Sequence, residues 1–159
     1  MESRKKKLIY IVNADWAFIS HRLPLALYTM SIGYDVTIVA IEERNLGSQI
    51  RNYGFKFIPL PTTRSSTNIF KEINVIFFLV KLFKREKPDI VHNVTLKPVA
   101  YVSIVARFFR RIKVINAITG FGTIFIDKKA NRLNHFLLMR LFNFGFRNSN
   151  LRFILQNID

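Results

Sequence analysis

Two glycines, Gly120 and Gly122, follow an apolar run and form half of a dinucleotide-binding fingerprint. The full fingerprint needs a third glycine, where this chain has Phe125, and it belongs after the first strand of a domain. The first predicted strand, Leu8 to Asn13, leads instead into a segment without glycine. The two glycines therefore indicate a tight turn or a loop that approaches a ligand closely, and not a dinucleotide site.

A hydroxyl, an imidazole and a guanidinium stand together in Ser20, His21 and Arg22, at the start of a predicted helix. Backbone N–H groups at a helix start favour anions, and Arg22 could make paired hydrogen bonds to a phosphate or a carboxylate. The alternative is structural: Ser20 caps the helix and Arg22 is solvated.

A third polar group lies in the segment "VHNVTLKP", which contains His92, Asn93 and Lys97 at and after the end of a predicted strand. His92 could accept a proton, and Lys97 could hold a phosphate as a point charge. The alternative for His92 is a hydrogen bond to a neighbouring loop, with no part in chemistry.

Short apolar runs rich in Ile and Val alternate with longer helical patterns along the chain. The runs lack strict alternation of apolar and polar residues, which indicates parallel strands buried on both faces. This order predicts an α/β fold with a doubly wound, mostly parallel, Rossmann-like sheet. The predicted strands are 8–13, 35–41, 55–60, 89–93, 113–118 and 152–156, and the predicted helices are 20–31, 46–53, 69–85, 98–109 and 130–146.

Ligands of doubly wound sheets bind beyond the carboxyl ends of the strands. This rule brings the three polar groups to one edge, because each follows a strand. The first strand delivers Asn13, Asp15 and Trp16; the fourth delivers His92 and Asn93; the fifth delivers Thr119 and the two glycines.

Composition excludes several kinds of site. The chain of 159 residues has no Cys, its three histidines lie far apart in sequence, and it has no Asp-x-Asp pair, so no metal-ligand motif is present. The net charge of +15 indicates an anionic partner: nucleic acid, an anionic membrane or a phosphorylated substrate. The longest apolar run, Ile73 to Val80, is too short to span a membrane.

Two predicted helices, 69–85 and 130–146, carry apolar residues beside Lys and Arg. Most of these apolar residues must pack in the core, with the charges solvated. Phe70, Phe77 and Phe78 are left on other faces of the first helix, and Phe136 and Phe142 on those of the second. Apolar bulk beside cations is typical of a helix that lies on a membrane surface.

The order of these segments resembles the N-terminal domain of family-4 glycosyltransferases. The resemblance spans nearly the whole chain and is greatest to bacterial members that build capsule, O-antigen or other glycans on undecaprenyl diphosphate. The matching segments are "FISHRLPLALYTMSIGYDVTIVA", "VHNVTLKP", "VINAITGFGTIF" and "FILQN".

The resemblance implies a GT-B fold, in which residues 1–159 form the single acceptor-binding N-terminal lobe and the nucleotide-sugar-binding C-terminal lobe is absent. It implies a retaining glycosyltransferase without a metal or another cofactor. Many relatives carry a histidine where the fifth strand ends, and this chain has Thr119. The candidate catalytic groups are therefore His92, His21 and Thr119, with Thr119 as a positioning residue. The candidate acceptor-binding residues are Asp15, Ser20, Arg22, Asn93, Lys97, Gly120 and Gly122.

The implied partners are a nucleotide sugar, a lipid-linked sugar acceptor and an anionic membrane surface, and the implied location is the cytoplasm, at the inner face of the cell membrane. Two alternatives stay open. The chain could be a non-catalytic membrane-docking subunit of a split glycosyltransferase, or a nucleic-acid-binding module. The second explains the charge, but the chain has no helix-turn-helix, zinc or RNA-recognition motif.

Overall fold

A computed structural model of the chain describes residues 4–64, 69–118, 140, 143 and 149–155. Six strands form one sheet in the order β3-β2-β1-β4-β5-β6, and all of its strand pairs are parallel. This confirms the predicted doubly wound sheet. The strands are β1 (Lys7–Val12), β2 (Asp35–Ala40), β3 (Lys56–Pro59), β4 (Ile90–Val94), β5 (Lys113–Ile118) and β6 (Leu151–Leu155).

Helices connect β1 through β5 on both faces of the sheet. The described helices are α1 (Asp15–His21), α2 (Leu23–Ser31), α3 (Gly47–Asn52), α4 (Ile69–Glu86) and α5 (Leu96–Ala106). The prediction for 69–85 is confirmed almost to the residue. The predicted helix 130–146 lies outside the described residues, apart from the single positions 140 and 143.

The first predicted helix, 20–31, differs from the observed structure. Helix α1 begins at Asp15 and ends at His21, and a second helix begins at Leu23 with Pro24 in its first turn. Ser20 lies inside the last turns of α1, and Arg22 is the residue between the helices. The structural alternative, in which Ser20 caps a helix, is therefore wrong, because the chain is already helical five residues earlier.

Apolar side chains cover both faces of the sheet, as the runs of Ile and Val predict. Ile9 and Ile11 of β1 pack in one core with α4 and α5. Leu8 and Tyr10 point to the other face and pack with α1, α2 and α3. A strand buried on both faces holds its neighbours in fixed register. The ends of β1 and β4 are thus fixed relative to each other.

Glycines end two of the helices as predicted. Gly33 follows α2 with a φ of 93°, and Gly54 follows α3 with a φ of 89°. This left-handed conformation favours glycine at the position after a helix C-cap. Among the described residues, no helix has both the length and the apolar character needed to cross a membrane.

Candidate functional site

The sheet changes winding direction between β1 and β4, which are hydrogen-bonded neighbours with Tyr10 beside His92 and Ile11 beside Asn93. From β1 the chain winds outward to β2 and β3, and from β4 it winds the other way to β5 and β6. Ligands of such sheets bind at this point, beyond the carboxyl ends of the two strands. The loops after β1 and β4 therefore form the candidate site.

Asp15, the first residue of α1, has a fully buried side chain whose carboxylate accepts hydrogen bonds from four backbone N–H groups. Burial alone would raise the pKa of Asp15, but these four donors outweigh burial and lower it. The donors are Trp16 (2.8 Å), Glu43 (3.2 Å), Arg44 (3.0 Å) and Leu46 (3.0 Å). Asp15 thus ties the loop after β2 to the start of α1.

Trp16 lies among charged side chains beside the loop after β2. Its indole N–H donates to Glu43 Oε2 at 2.9 Å. The guanidinium carbons of Arg44 and Arg64 lie 5.1 and 5.5 Å from the centroid of the Trp16 ring, within cation–π distance. Sequence reasoning placed Trp16 at this edge but missed both arginines, which lie 28 and 48 positions away in the printed sequence.

His92 lies on the face of the sheet that α1 and α2 cover. The residue is 6% exposed, and its ring lies 5.1 Å from the Tyr10 ring, centroid to centroid. Burial first and the nearby Arg22 charge second lower the pKa of His92 from 6.5 to about 4. His92 is therefore neutral at physiological pH. Its Nε2 is buried and has no hydrogen-bond partner among the described residues.

Arg22 reaches the same face from the break between α1 and α2. Its side chain is buried, 7% exposed, and its backbone N–H donates to Phe18 O at 2.8 Å, which closes α1. Burial lowers the pKa of Arg22, and the neighbouring Tyr10 opposes that effect. Ser20 and His21 are exposed on α1 and do not share this buried position.

Asn93 lies on the opposite face, in a chain of buried polar side chains. Asn93 Nδ2 donates to Asn116 Oδ1 at 2.8 Å, and Asn116 Nδ2 donates to Ser103 Oγ at 3.2 Å. This chain links β4, β5 and α5 and holds the Asn93 side chain in place. Asn93 Oδ1 stays buried without a partner in the described part of the chain.

Thr95 connects β4 to α5 with a φ of 72° and a ψ of 163°. A β-branched residue with positive φ is strained by about 1–3 kcal/mol. Two residues later, Lys97 Nζ lies 3.3 Å from Glu72 Oε1 of α4. Their side chains are 25% and 20% exposed. Such strain is typical of functional positions, and sequence reasoning missed both Thr95 and Glu72.

The structure thus places the predicted site residues on two faces of one edge. Arg22 lies near His92 on the face covered by α1 and α2, and Lys97 lies beside Glu72 between α4 and α5. Thr119, Gly120 and Gly122 lie outside the described residues, so the convergence of the loops after β1, β4 and β5 on one crevice stays a prediction. The described residues contain no group of three or more His, Asp or Glu side chains that could hold a metal ion.

Comparison with known proteins gives one matching family and several solved structures with a similar fold. The profile of a family described as glycosyl transferase 4-like matches residues 7–157. No curated protein matches the chain. Among solved structures, the chain is similar to MurG of Acinetobacter baumannii, with a TM-score of 0.61 and 13% identity over 97% of this chain and 42% of MurG.

Two further structures have similar folds. A glycosyltransferase from Rickettsia africae ESF-5 has a TM-score of 0.58 and 15% identity, over 99% of this chain and 44% of that protein. The UDP-GlcNAc 2-epimerase of Methanocaldococcus jannaschii has a TM-score of 0.57 and 15% identity, over 93% of this chain and 45% of the epimerase. At these identities the likeness concerns the fold alone. The chain spans less than half the length of each of these proteins.

Proposed function

The chain belongs to the glycosyl transferase 4-like family, since that family's profile matches residues 7–157, and we propose that it is the acceptor-binding N-terminal lobe of a retaining GT-B glycosyltransferase. The enzyme would transfer a sugar from a nucleotide sugar to a glycan on a membrane lipid, of the undecaprenyl diphosphate type, in the synthesis of a surface polysaccharide. The donor site would lie on a second lobe.

The observation that carries the proposal is the switch point between β1 and β4. The family profile covers both strands, and their carboxyl ends hold the strained Thr95 and buried polar groups that lack partners among the described residues. Such features are costly in a stable core and are typical of functional sites. In this proposal Asp15 shapes the edge by holding the loop after β2, and Arg22 and Asn93 face the acceptor.

A lipid-linked acceptor is supported by the exposed face of α4. Ile73, Phe77, Lys81 and Lys84 recur at helical spacing along this face, and Phe77 is 62% exposed. The opposite face buries Val75, Leu79 and Leu82 in the core. A stripe that combines apolar and cationic side chains suits the interface of an anionic membrane. The net charge of +15 favours the same surface.

Turnover by the full-length protein tests the proposal. The protein is incubated with a panel of nucleotide sugars and with undecaprenyl-diphosphate-linked sugars in membranes, and NMR of the product gives the anomeric configuration. The proposal predicts a product with retained configuration for at least one donor. A product with inverted configuration would refute the retaining mechanism, and transfer only to water-soluble acceptors would refute the lipid-linked one.

The 159-residue chain by itself gives a second test. If the donor site lies on another lobe, the chain binds nucleotide sugars weakly or not at all. Calorimetry that shows tight, one-to-one binding of a nucleotide sugar to this chain would contradict the proposed division between the lobes.

A further inference from the structure

Four buried oxygen atoms without hydrogen-bond partners among the described residues are associated with the ends of β1 and β4. They are Asn13 Oδ1, Asn93 Oδ1, Thr95 Oγ1 and Glu72 Oε2. Buried polar atoms are nearly always paired, so such a concentration requires an explanation.

Asn13 and Asn93 belong to the face of the sheet that packs against α4 and α5. Ile11 and Val91 lie in that core, and side chains two residues apart along a strand share a face. Asn13 and Asn93 therefore extend this face toward the carboxyl edge, and Thr95 lies between the end of β4 and the start of α5. Glu72 reaches this point from α4, because its other carboxylate oxygen, Oε1, holds Lys97 at 3.3 Å.

The chemistry of this group argues against an anion. Three of the four atoms are carbonyl or carboxylate oxygens, which would repel a phosphate. Lys97, the cation that contacts Glu72, has its charge balanced by that carboxylate. The four oxygens lack hydrogen-bond donors to pair with. A sugar ring supplies them, because each of its hydroxyls both donates and accepts a hydrogen bond.

We propose that Asn13, Asn93, Thr95 and Glu72 form a subsite for the hydroxyl groups of a neutral sugar ring, with Lys97 holding the Glu72 carboxylate in place. This inference rests on the proposed function and deepens it, because it assigns this face of the switch point to the sugar of the substrate and not to its diphosphate. Asn93 is the member of the group that other side chains hold in place, since it contacts Asn116, which in turn contacts Ser103.

Saturation-transfer NMR on the 159-residue chain tests the subsite with methyl glycosides of glucose, galactose, mannose and N-acetylglucosamine as probes. At least one glycoside should bind at millimolar concentration, and inorganic pyrophosphate should not displace it. Thr95→Ala removes one neutral hydrogen bond and should weaken binding about three- to tenfold. Thr95→Ser keeps the hydroxyl and should retain binding.

Glu72→Gln should weaken binding about tenfold or more, since hydrogen bonds to a charged group are stronger. Asn52→Ala, at an exposed position of α3, is the matched control and should bind as the unaltered chain does. Circular dichroism and melting curves establish that each variant is folded.

Several results would overturn the subsite. It is wrong if no glycoside binds, since ordered water then satisfies the four oxygens. It is also wrong if Thr95→Ala and Thr95→Ser bind equally well, or if pyrophosphate displaces the glycoside from the unaltered chain but not from Lys97→Met. The two proposals can also fail separately. If the full-length protein has no transferase activity but the 159-residue chain still binds the glycoside, the proposed function is contradicted and the subsite proposal still holds.

Discussion

Acidification should destabilise the chain through His92. The residue is 6% exposed, and its pKa is lowered from 6.5 to about 4 by burial first and by the Arg22 charge second. The unfolded chain takes up a proton near pH 6.5, whereas the folded chain does so only near pH 4. Stability is therefore lost as the pH falls between these values, by about 3 kcal/mol in full and about 2 kcal/mol by pH 5.

Urea unfolding at pH 7 and pH 5 measures this loss. His92→Phe keeps an aromatic ring against Tyr10, which lies 5.1 Å away, but cannot titrate. The unaltered chain should lose about 2 kcal/mol more than His92→Phe over this interval. Carboxylates with a lowered pKa, such as Asp15 and Glu86, titrate in both proteins. Their contributions to the loss of stability are therefore equal in the two proteins and do not affect the comparison. His21→Gln, at an exposed position of α1, controls for the deletion of a histidine.

Equal losses in the unaltered chain and in His92→Phe, to within about 0.5 kcal/mol, would refute this reasoning. An NMR titration of the His92 imidazole with a midpoint near 6.5 would do the same. The result also bears on catalysis. A histidine with a pKa of about 4 is a weak base at neutral pH, so its role in the active enzyme would be to donate or accept a hydrogen bond as a neutral ring.

Three further outcomes are expected. Asp15→Ala should lower the free energy of unfolding by about 3 kcal/mol, because four backbone donors lose a charged acceptor. In the same urea titration, the control Asp35→Ala, at the exposed start of β2, should change the free energy of unfolding little. Arg22→Ala in the full-length enzyme should raise KM for the lipid-linked acceptor about tenfold or more and leave KM for the nucleotide sugar nearly unchanged; equal effects on both would contradict the acceptor assignment. Phe77→Ser should weaken sedimentation with anionic vesicles relative to Tyr53→Ser on α3's exposed C-cap, and salt should release the unaltered chain.

The order and direction of the strands were predictable because the central strands β1, β2, β4 and β5 are short apolar runs rich in Ile and Val that are largely buried. The edge strands β3 and β6 are more exposed. The rule for doubly wound sheets then brings the ends of β1 and β4 together without any knowledge of side-chain contacts. The start of α1 was not predictable, because it depends on Asp15 accepting hydrogen bonds from residues about 30 positions away. Local patterns carry no information about such a contact.

The site was predictable only at its strand ends. His92 and Asn93 were found because they lie near the carboxyl end of β4, and Lys97 was found because it follows that strand within three residues. Glu72 was missed because its contact with Lys97 requires α4 and α5 to pack against each other. Thr95 was missed because positive φ is expected of glycine, and a threonine in that position gives no signal in the sequence.

The costs at the end of β4 have a thermodynamic consequence. Asn93 leaves a buried oxygen without a partner among the described residues, at a cost of about 1–3 kcal/mol, and the Thr95 backbone adds strain of similar size. Asn93 lies in β4 and Thr95 follows that strand, whereas Val91 of β4 and Val114 of the neighbouring β5 are ordinary apolar core residues. A ligand that pairs with Asn93 recovers part of the first cost only when it is bound to the folded chain. Its binding should therefore raise the melting temperature in proportion to the logarithm of its concentration, and a glycoside that binds without raising it would have to bind the unfolded chain equally well.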